Sequence, residues 1–290
     1  MWFFFALAAA VIAAISIIIS KELLKGVTAS VLTWGQIVLS TPIIAIFVLK
    51  EGLPQMGVAF FGAAFASVIF YTLSKIISLK AIRMSDLSLV YPLLSLGPVF
   101  TFLIVLFPPL SEKPTIISTI GVFITLAGTY ILNVTLAREG IFTPLKVLLK
   151  NKAPFLMIAS VVLGSVVIIF DKLAINGTNP KSPIFTLFFE NLLIAGIAPV
   201  LYLRDRNFLL QLTANLKLFL LLGFLIAISS MFAFWAVSEG PVGLTATVLR
   251  TQALYVLFFS YFFLKDKPKW ETLIGSVIMI LGILLIKVGS

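Results

Sequence analysis

The 290-residue sequence contains neither cysteine nor histidine. Their absence excludes disulfide frameworks, thiol nucleophiles, Cys/His zinc sites, histidine-ligated haem and imidazole acid–base chemistry. Charge is scarce as well. Asp, Glu, Lys and Arg make up 11% of the residues, where a soluble domain carries about a quarter. No G-x-x-x-x-G-K-[ST] pattern occurs, so a nucleotide has no phosphate-binding loop and no cofactor is expected.

What the sequence holds instead is hydrocarbon. Hydrophobic residues account for 61% of it, more than the interior of a soluble fold of this length can hide. Lipid must be the solvent for most of the chain. Apolar runs lie at Trp2–Ser20, Ser30–Leu49, Gly57–Leu79, Asp86–Phe107, Ile116–Leu136, Pro154–Ile175, Pro183–Leu203, Asn215–Ser238, Val242–Leu264 and Glu271–Val288. Each is close to the ~20 residues a helix needs to span a bilayer. The prediction is an all-α integral membrane protein with ten transmembrane helices. The first run has no basic stretch before it and no small-residue cleavage site before Lys21. It reads as a retained helix rather than a signal peptide. The connections are short and carry breakers such as Pro108-Pro109, Asn176-Gly177 and Gly240-Pro241. The longest gap, 137–153, holds Pro144–Lys150, either a short interfacial helix or plain linker.

The formal charge is +10, with the basic residues in the gaps between apolar runs. That pattern fits contact with anionic lipid headgroups and not with nucleic acid. The expected partners are membrane lipids and a small-molecule solute. A monomer is the expected unit, and a homodimer stays open.

The chain repeats itself once. Residues 110–132, LSEKPTIISTIGVFITLAGTYIL, align without gaps on 264–286, LKDKPKWETLIGSVIMILGILLI, at an offset of 154. Lys113/Lys267, Pro114/Pro268, Gly121/Gly275 and Gly128/Gly282 coincide. The paired glycines are seven residues apart, about two helical turns, and so share a face that permits close helix approach. A weaker match at the same offset pairs Trp34-Gly35-Gln36 with Phe188-Phe189-Glu190. The chain therefore divides into repeats at 1–136 and 154–290, joined by a linker at 137–153. Five helices per half is an odd number, which inverts one half relative to the other. Inverted repeats characterise secondary transporters, with the site at mid-membrane between the halves.

These features resemble the drug/metabolite transporter superfamily, and within it the EamA-like family. The resemblance rests on 81–132, with Tyr91-Pro92, the turn acid Glu112 and the glycine helix, and on 236–286, where Asp266 stands for the acid. It implies export of a metabolite, amino acid or drug-like solute across the cytoplasmic (inner) membrane. Family members often carry Arg in the second helix of a half, where this chain has Gln36 and Glu190. No substrate is therefore carried over.

Ionisable groups at bilayer depth cost at least about 2.5–3.5 kcal/mol and need a reason. Lys21, Lys80, Arg83, Lys172, Arg204 and Lys287 lie at run ends, where they can snorkel as anchors. Asp171, beside Lys172, reads first as a cap or headgroup contact, with a proton-relay role as the alternative. Glu190 is different, seven residues into its run and next to Asn191. A carboxyl there can exchange a proton against a cationic substrate. Arg250, eight residues into its run with Gln252 nearby, suits pairing with Glu190 or an anionic substrate group. Lys75 shares a helix face with Tyr71. Tyr91 and Tyr255 occupy the fourth and ninth runs, and Trp235 the eighth. The candidate solute site is Gln36, Tyr71, Lys75, Tyr91, Glu190, Asn191, Trp235, Arg250, Gln252 and Tyr255. Pro92, Gly97, Pro98 and Gly243 are candidate flex points.

The reading is a secondary transporter working by alternating access, driven by proton coupling or exchange, and not an enzyme. The alternative is a lipid-linked carrier flippase or a membrane-embedded lipid-modifying protein, for which Glu112 and Asp266 are the nearest acids. Gaps after odd-numbered helices hold 13 basic residues, against 5 in the even gaps and termini. By the positive-inside rule the termini are then outside. The family resemblance implies cytoplasmic termini.

Overall fold

A computed structural model describes residues 1–84, 91–136, 152–202, 207–264 and 270–290. The helices are α1 (Trp2–Leu23), α2 (Ala29–Glu51), α3 (Val58–Met84), α4 (Gly97–Val105), α5 (Ile116–Leu136), α6 (Lys152–Asn176), α7 (Pro183–Tyr202), the short α8 (Phe208–Ala214), α9 (Leu216–Glu239), α10 (Val242–Leu249), α11 (Gln252–Leu264) and α12 (Trp270–Gly289). A 3-10 turn at Tyr91–Leu96 leads into α4. Among the described residues eleven helices reach eight residues, not the ten that hydropathy predicts. The difference arises inside one run. Val242–Leu264 stays apolar throughout but breaks at Arg250–Thr251, where Thr251, Ala253 and Leu254 donate their N–H groups three residues back instead of four. Hydropathy does not register a break in hydrogen bonding. Pro144–Lys150, Arg204 and Asp266 lie outside the described residues, as do the side chains of Arg83 and Tyr91.

Among the described residues, six segments are long and apolar enough to cross a membrane, and four further apolar helices are shorter. Both chain ends meet on one face. The Met1 amino group lies 3.9 Å from Glu239, and Thr115 donates to the Gly289 carbonyl at 2.6 Å. On that face too, Gln55–Met56 (β1) and Thr178–Asn179 (β2) pair antiparallel, Gln55 opposite Asn179. This two-rung ladder ties the turn after α2 to the turn after α6. Two residues per strand are too few to leave a period-2 signature in the sequence.

The α5–α12 contact explains the repeated glycines. A Cβ at Gly121 would stand 2.7 Å from the Ile286 nitrogen and 2.8 Å from the Gly282 carbonyl. One at Gly128 would stand 2.6 Å from the Met279 nitrogen and 2.7 Å from the Gly275 carbonyl. The backbones touch where glycine removes the side chain, as small-residue packing in membranes requires. The pairing is reciprocal: Gly121 meets Gly282, and their repeat equivalents Gly275 and Gly128 meet each other. Rising numbers on α5 meet falling numbers on α12, so these equivalent helices run antiparallel. Equivalent helices that run in opposite directions make the two repeats inverted.

Replacing Gly128 with Leu forces the backbones apart and is expected to destabilise the protein by about 1–3 kcal/mol, the range for overpacking. Nothing lies within 4 Å of a Cβ at Gly62, so Gly62→Leu is expected to leave stability unchanged. Thermal unfolding of the two purified variants in detergent checks the contrast.

Candidate functional site

A cavity of about 300 Å³ opens among five helices. Gln36, Ile37 and Ser40 come from α2, Ser67 and Tyr71 from α3, Val167 and Asp171 from α6. Leu187, Glu190, Asn191 and Ile194 come from α7, with Ile226, Ser230 and Phe234 from α9. The spacings are three, four and seven residues, so each helix offers one face to the cavity. At the repeat offset, Gln36 corresponds to Glu190, Ile37 to Asn191 and Ser40 to Ile194. Equivalent helices α2 and α7 thus line the cavity with equivalent positions, which puts the cavity between the repeats, where inverted-repeat carriers hold their sites.

Two carboxyls dominate the chemistry. Glu190 is 5% exposed and Asp171 9%. Their side chains lie close enough to interact. Ser67 Oγ donates a hydrogen bond to Asp171. Glu190 Oε1 is buried and has no hydrogen-bond partner among the described residues. No Lys or Arg is among the lining residues. Among the described residues no group of three or more Asp and Glu is placed to hold a metal ion.

Of the ten candidates from the sequence, the structure brings Gln36, Tyr71, Glu190 and Asn191 together in this cavity. The others lie elsewhere. Lys75 is exposed, its ammonium 5.5 Å from the Tyr71 ring centroid. Trp235 packs against Phe5 and Phe232, and its neighbour Phe234 faces the cavity instead. Tyr255 lines a separate groove of about 910 Å³ among α1, α11 and α12, walled almost wholly by hydrocarbon. Gln252 opens α11, half-buried, and lines neither space. Tyr91 starts the 3-10 turn.

Arg250 marks a second centre. It caps α10 at the break, and its guanidinium lies against Gly97, where a Cβ would stand 3.2 Å from the nearer nitrogen. The partner of Glu190 is therefore Asp171 and not Arg250. Leu96 and Gly97 correspond to Arg250 and Thr251 at the repeat offset. Both repeats thus interrupt the same span at the same place, and the two interruptions touch. Gly97 permits this, since any side chain there would displace the guanidinium.

Sequence reasoning missed Ser67 and left Asp171, weighed only as an alternative proton relay, out of the candidate site. Asp171 reads as a helix-end group because Lys172 follows it. In α6 the two side chains diverge by about 100°. Asp171 faces the cavity, while Lys172 Nζ donates to the carbonyls of Val237 at 2.6 Å, Ser238 at 2.8 Å and Gly240 at 3.2 Å. Lys172 is therefore no headgroup anchor. It satisfies the last carbonyls of α9, where the helix dipole favours a cation. Across the same turn, Glu112 accepts the backbone N–H groups of Val242 and Gly243 and caps the start of α10. Burial pushes the Glu112 carboxyl up from its ordinary range, while the two N–H donors and the nearby Lys172 charge pull it back. A signal for Ser67 was available, since it sits four residues before Tyr71 on one helix face.

A cavity between inverted repeats of long apolar helices marks a polytopic membrane protein. The sequence model of the EamA-like transporter family matches residues 1–134 and again residues 151–288. The chain belongs to that family, within the drug/metabolite transporter superfamily, and is a multi-pass membrane transporter. A solved structure described as "Crystal structure of protein" superposes on 99% of this chain and 95% of its own, with a TM-score of 0.72 at 12% identity. That likeness shows a common fold. No curated protein sequence matches.

Removing the Lys172 ammonium strands three buried-end carbonyls. Lys172→Met is expected to cost about 1.5–3 kcal/mol, the range for hydrogen bonds to a charged group. Glu112→Ala is expected to cost about 0.5–2 kcal/mol as a lost N-cap. Thermal unfolding in detergent measures both.

Proposed function

We propose that this protein is a secondary active transporter, moving a small polar metabolite, amino acid or drug-like solute across the cytoplasmic membrane by alternating access. The solute occupies the five-helix cavity, and transport is coupled to protons through its carboxyls. One observation carries the reading: a buried Asp171–Glu190 pair faces an open volume between the repeats. Two carboxylates buried side by side repel each other, and a proton on one of them relieves that repulsion. That proton can leave when a solute donor takes its place. A buried carboxylate without such a donor is costly, so proton and solute compete for one site.

The geometry also favours rocking over a fixed pore. The spans interrupted at Leu96–Gly97 and Arg250–Thr251 meet at Gly97. Short helix segments end-to-end can change angle without breaking a continuous hydrogen-bond ladder. No ring of like charges lines the cavity as an ion filter would require. The proposed repeats, 1–136 and 154–290, then move about the cavity as the two halves of the carrier.

A thermal-shift screen of the purified protein against amino acids, nucleosides, sugar phosphates and organic cations identifies the solute class. A ligand at a hundredfold excess over its Kd is expected to stabilise by about 2.7 kcal/mol. Glu190→Gln is expected to lower pH-gradient-driven uptake of that ligand into proteoliposomes at least about tenfold, equivalent to about 1.4 kcal/mol. Full gradient-driven uptake by the variant sinks the coupling role.

A further inference from the structure

The groove of about 910 Å³ among α1, α11 and α12 lies apart from the five-helix cavity. At the repeat offset, its lining residues Val11, Tyr255, Phe259 and Ile280 correspond to Ser165, Thr101, Val105 and Leu126. In the first repeat that place is filled by packing. Thr101, Val105 and Leu126 are buried, and Ser165 donates a hydrogen bond to the Gly97 carbonyl at 2.9 Å. In the second repeat Tyr255 and Phe259 are only part-buried, and Ile280 is 44% exposed. Helix α11 packs on α1 and α12 on α5, with the groove between them. The fold can close this space, and in the second half it does not.

The groove occupies one leaflet. Val11 lies near the middle of α1 and Ile280 near the middle of α12. Tyr261 and Leu273 lie near the helix ends that face away from the chain termini. From Leu254 to Tyr261 the lining of α11 rises about 10 Å, most of the ~15 Å that is half a hydrocarbon core. Tyr261 and Trp270 are exposed at the outer end, where aromatic residues favour the headgroup level. The surrounding face is basic. Lys21 and Lys25 end α1, Lys80 lies near the end of α3, and Lys152 and Lys217 lie at the starts of α6 and α9, all of them exposed. Glu22, between the first two, is paired with Lys25 at 2.6 Å.

We propose that this groove is a lipid site, which holds one acyl chain of an anionic glycerophospholipid with its phosphate at the basic face. Hydrocarbon walls accept the chain, and the lysines select the sign of the headgroup. The chain takes the place that helix packing fills in the first repeat. It braces α11 just beyond the break at Arg250–Thr251, and so stabilises the interrupted span.

The test uses the full-length protein, purified in detergent and stripped of lipid, with dioleoyl phosphatidylglycerol and dioleoyl phosphatidylcholine as probes. Native mass spectrometry reads the lipids bound per chain. One phosphatidylglycerol is expected, held at least about tenfold more tightly than phosphatidylcholine, with a rise in unfolding temperature on binding. Ile280→Trp fills the groove and is expected to weaken that binding at least about tenfold and to abolish the rise. Leu273→Trp, a second filler at the outer end, is expected to do the same. Ile69→Trp, at an exposed position of α3 outside the groove, is expected to change neither. Replacing Lys21 and Lys25 together with Gln is expected to remove the preference between the two lipids while acyl-chain binding persists. Equal affinity of the unaltered protein for the two lipids, binding of neither, or binding that both groove fillers leave unchanged overturns the proposal. A lipid-free dimer that Ile280→Trp dissociates also overturns it, and assigns the groove to a second copy of the chain.

Discussion

Hydrocarbon offers no hydrogen bonds, so every polar group at membrane depth must be satisfied by protein. That constraint accounts for most of the detail here. Hydroxyls turn back onto their own helices: Ser16 donates to the Ile12 carbonyl, Thr101 to Gly97, Thr125 to Gly121, Thr129 to Thr125 and Thr247 to Gly243. At the turn between α9 and α10 one lysine and one glutamate supply what the helix ends lack. Lys172 closes three carbonyls and Glu112 closes two N–H groups. These residues come from different repeats, so the turn is held by both halves of the molecule. Against this background, two buried side-chain oxygens among the described residues lack a partner, Glu190 Oε1 and Thr245 Oγ1. An unpaired buried acceptor costs about 1–3 kcal/mol.

The same constraint decides what could be read from the sequence. Long apolar runs are legible because nothing else tolerates them, and the glycine spacing is legible because seven residues define a face. Glu190 stands out because it lies mid-run, away from any interface. The break at Arg250 leaves no trace in hydropathy, since the residues on both sides remain apolar. Asp171 was hidden by its neighbour: adjacency to Lys172 in sequence suggests a shared helix end, while helix geometry sends the two in different directions. Pairing Glu190 with Arg250 follows from opposite charge at similar depth. It fails because charge does not report helix rotation. Rotation turns Arg250 towards Gly97 and leaves Glu190 beside Asp171.

The distribution of chemistry over the repeat is the last consequence. Structural positions keep the symmetry. The glycines of α5 and α12 meet reciprocally, and both halves interrupt the span that holds Gly97 or Thr251. Site positions break it. Gln36 faces Glu190's equivalent place, Ile37 that of Asn191, and the counterpart of Asp171 is Ile17 in α1. Both carboxyls therefore belong to the second half, while the first contributes an amide, hydroxyls and Tyr71. A symmetric arrangement would put four acids or none at the centre. Four would repel one another in a medium of low dielectric, and none would leave nothing to hold a proton. An asymmetric pair avoids both outcomes. The repeat thus fixes how the helices pack, while the residues that line the cavity differ between the halves.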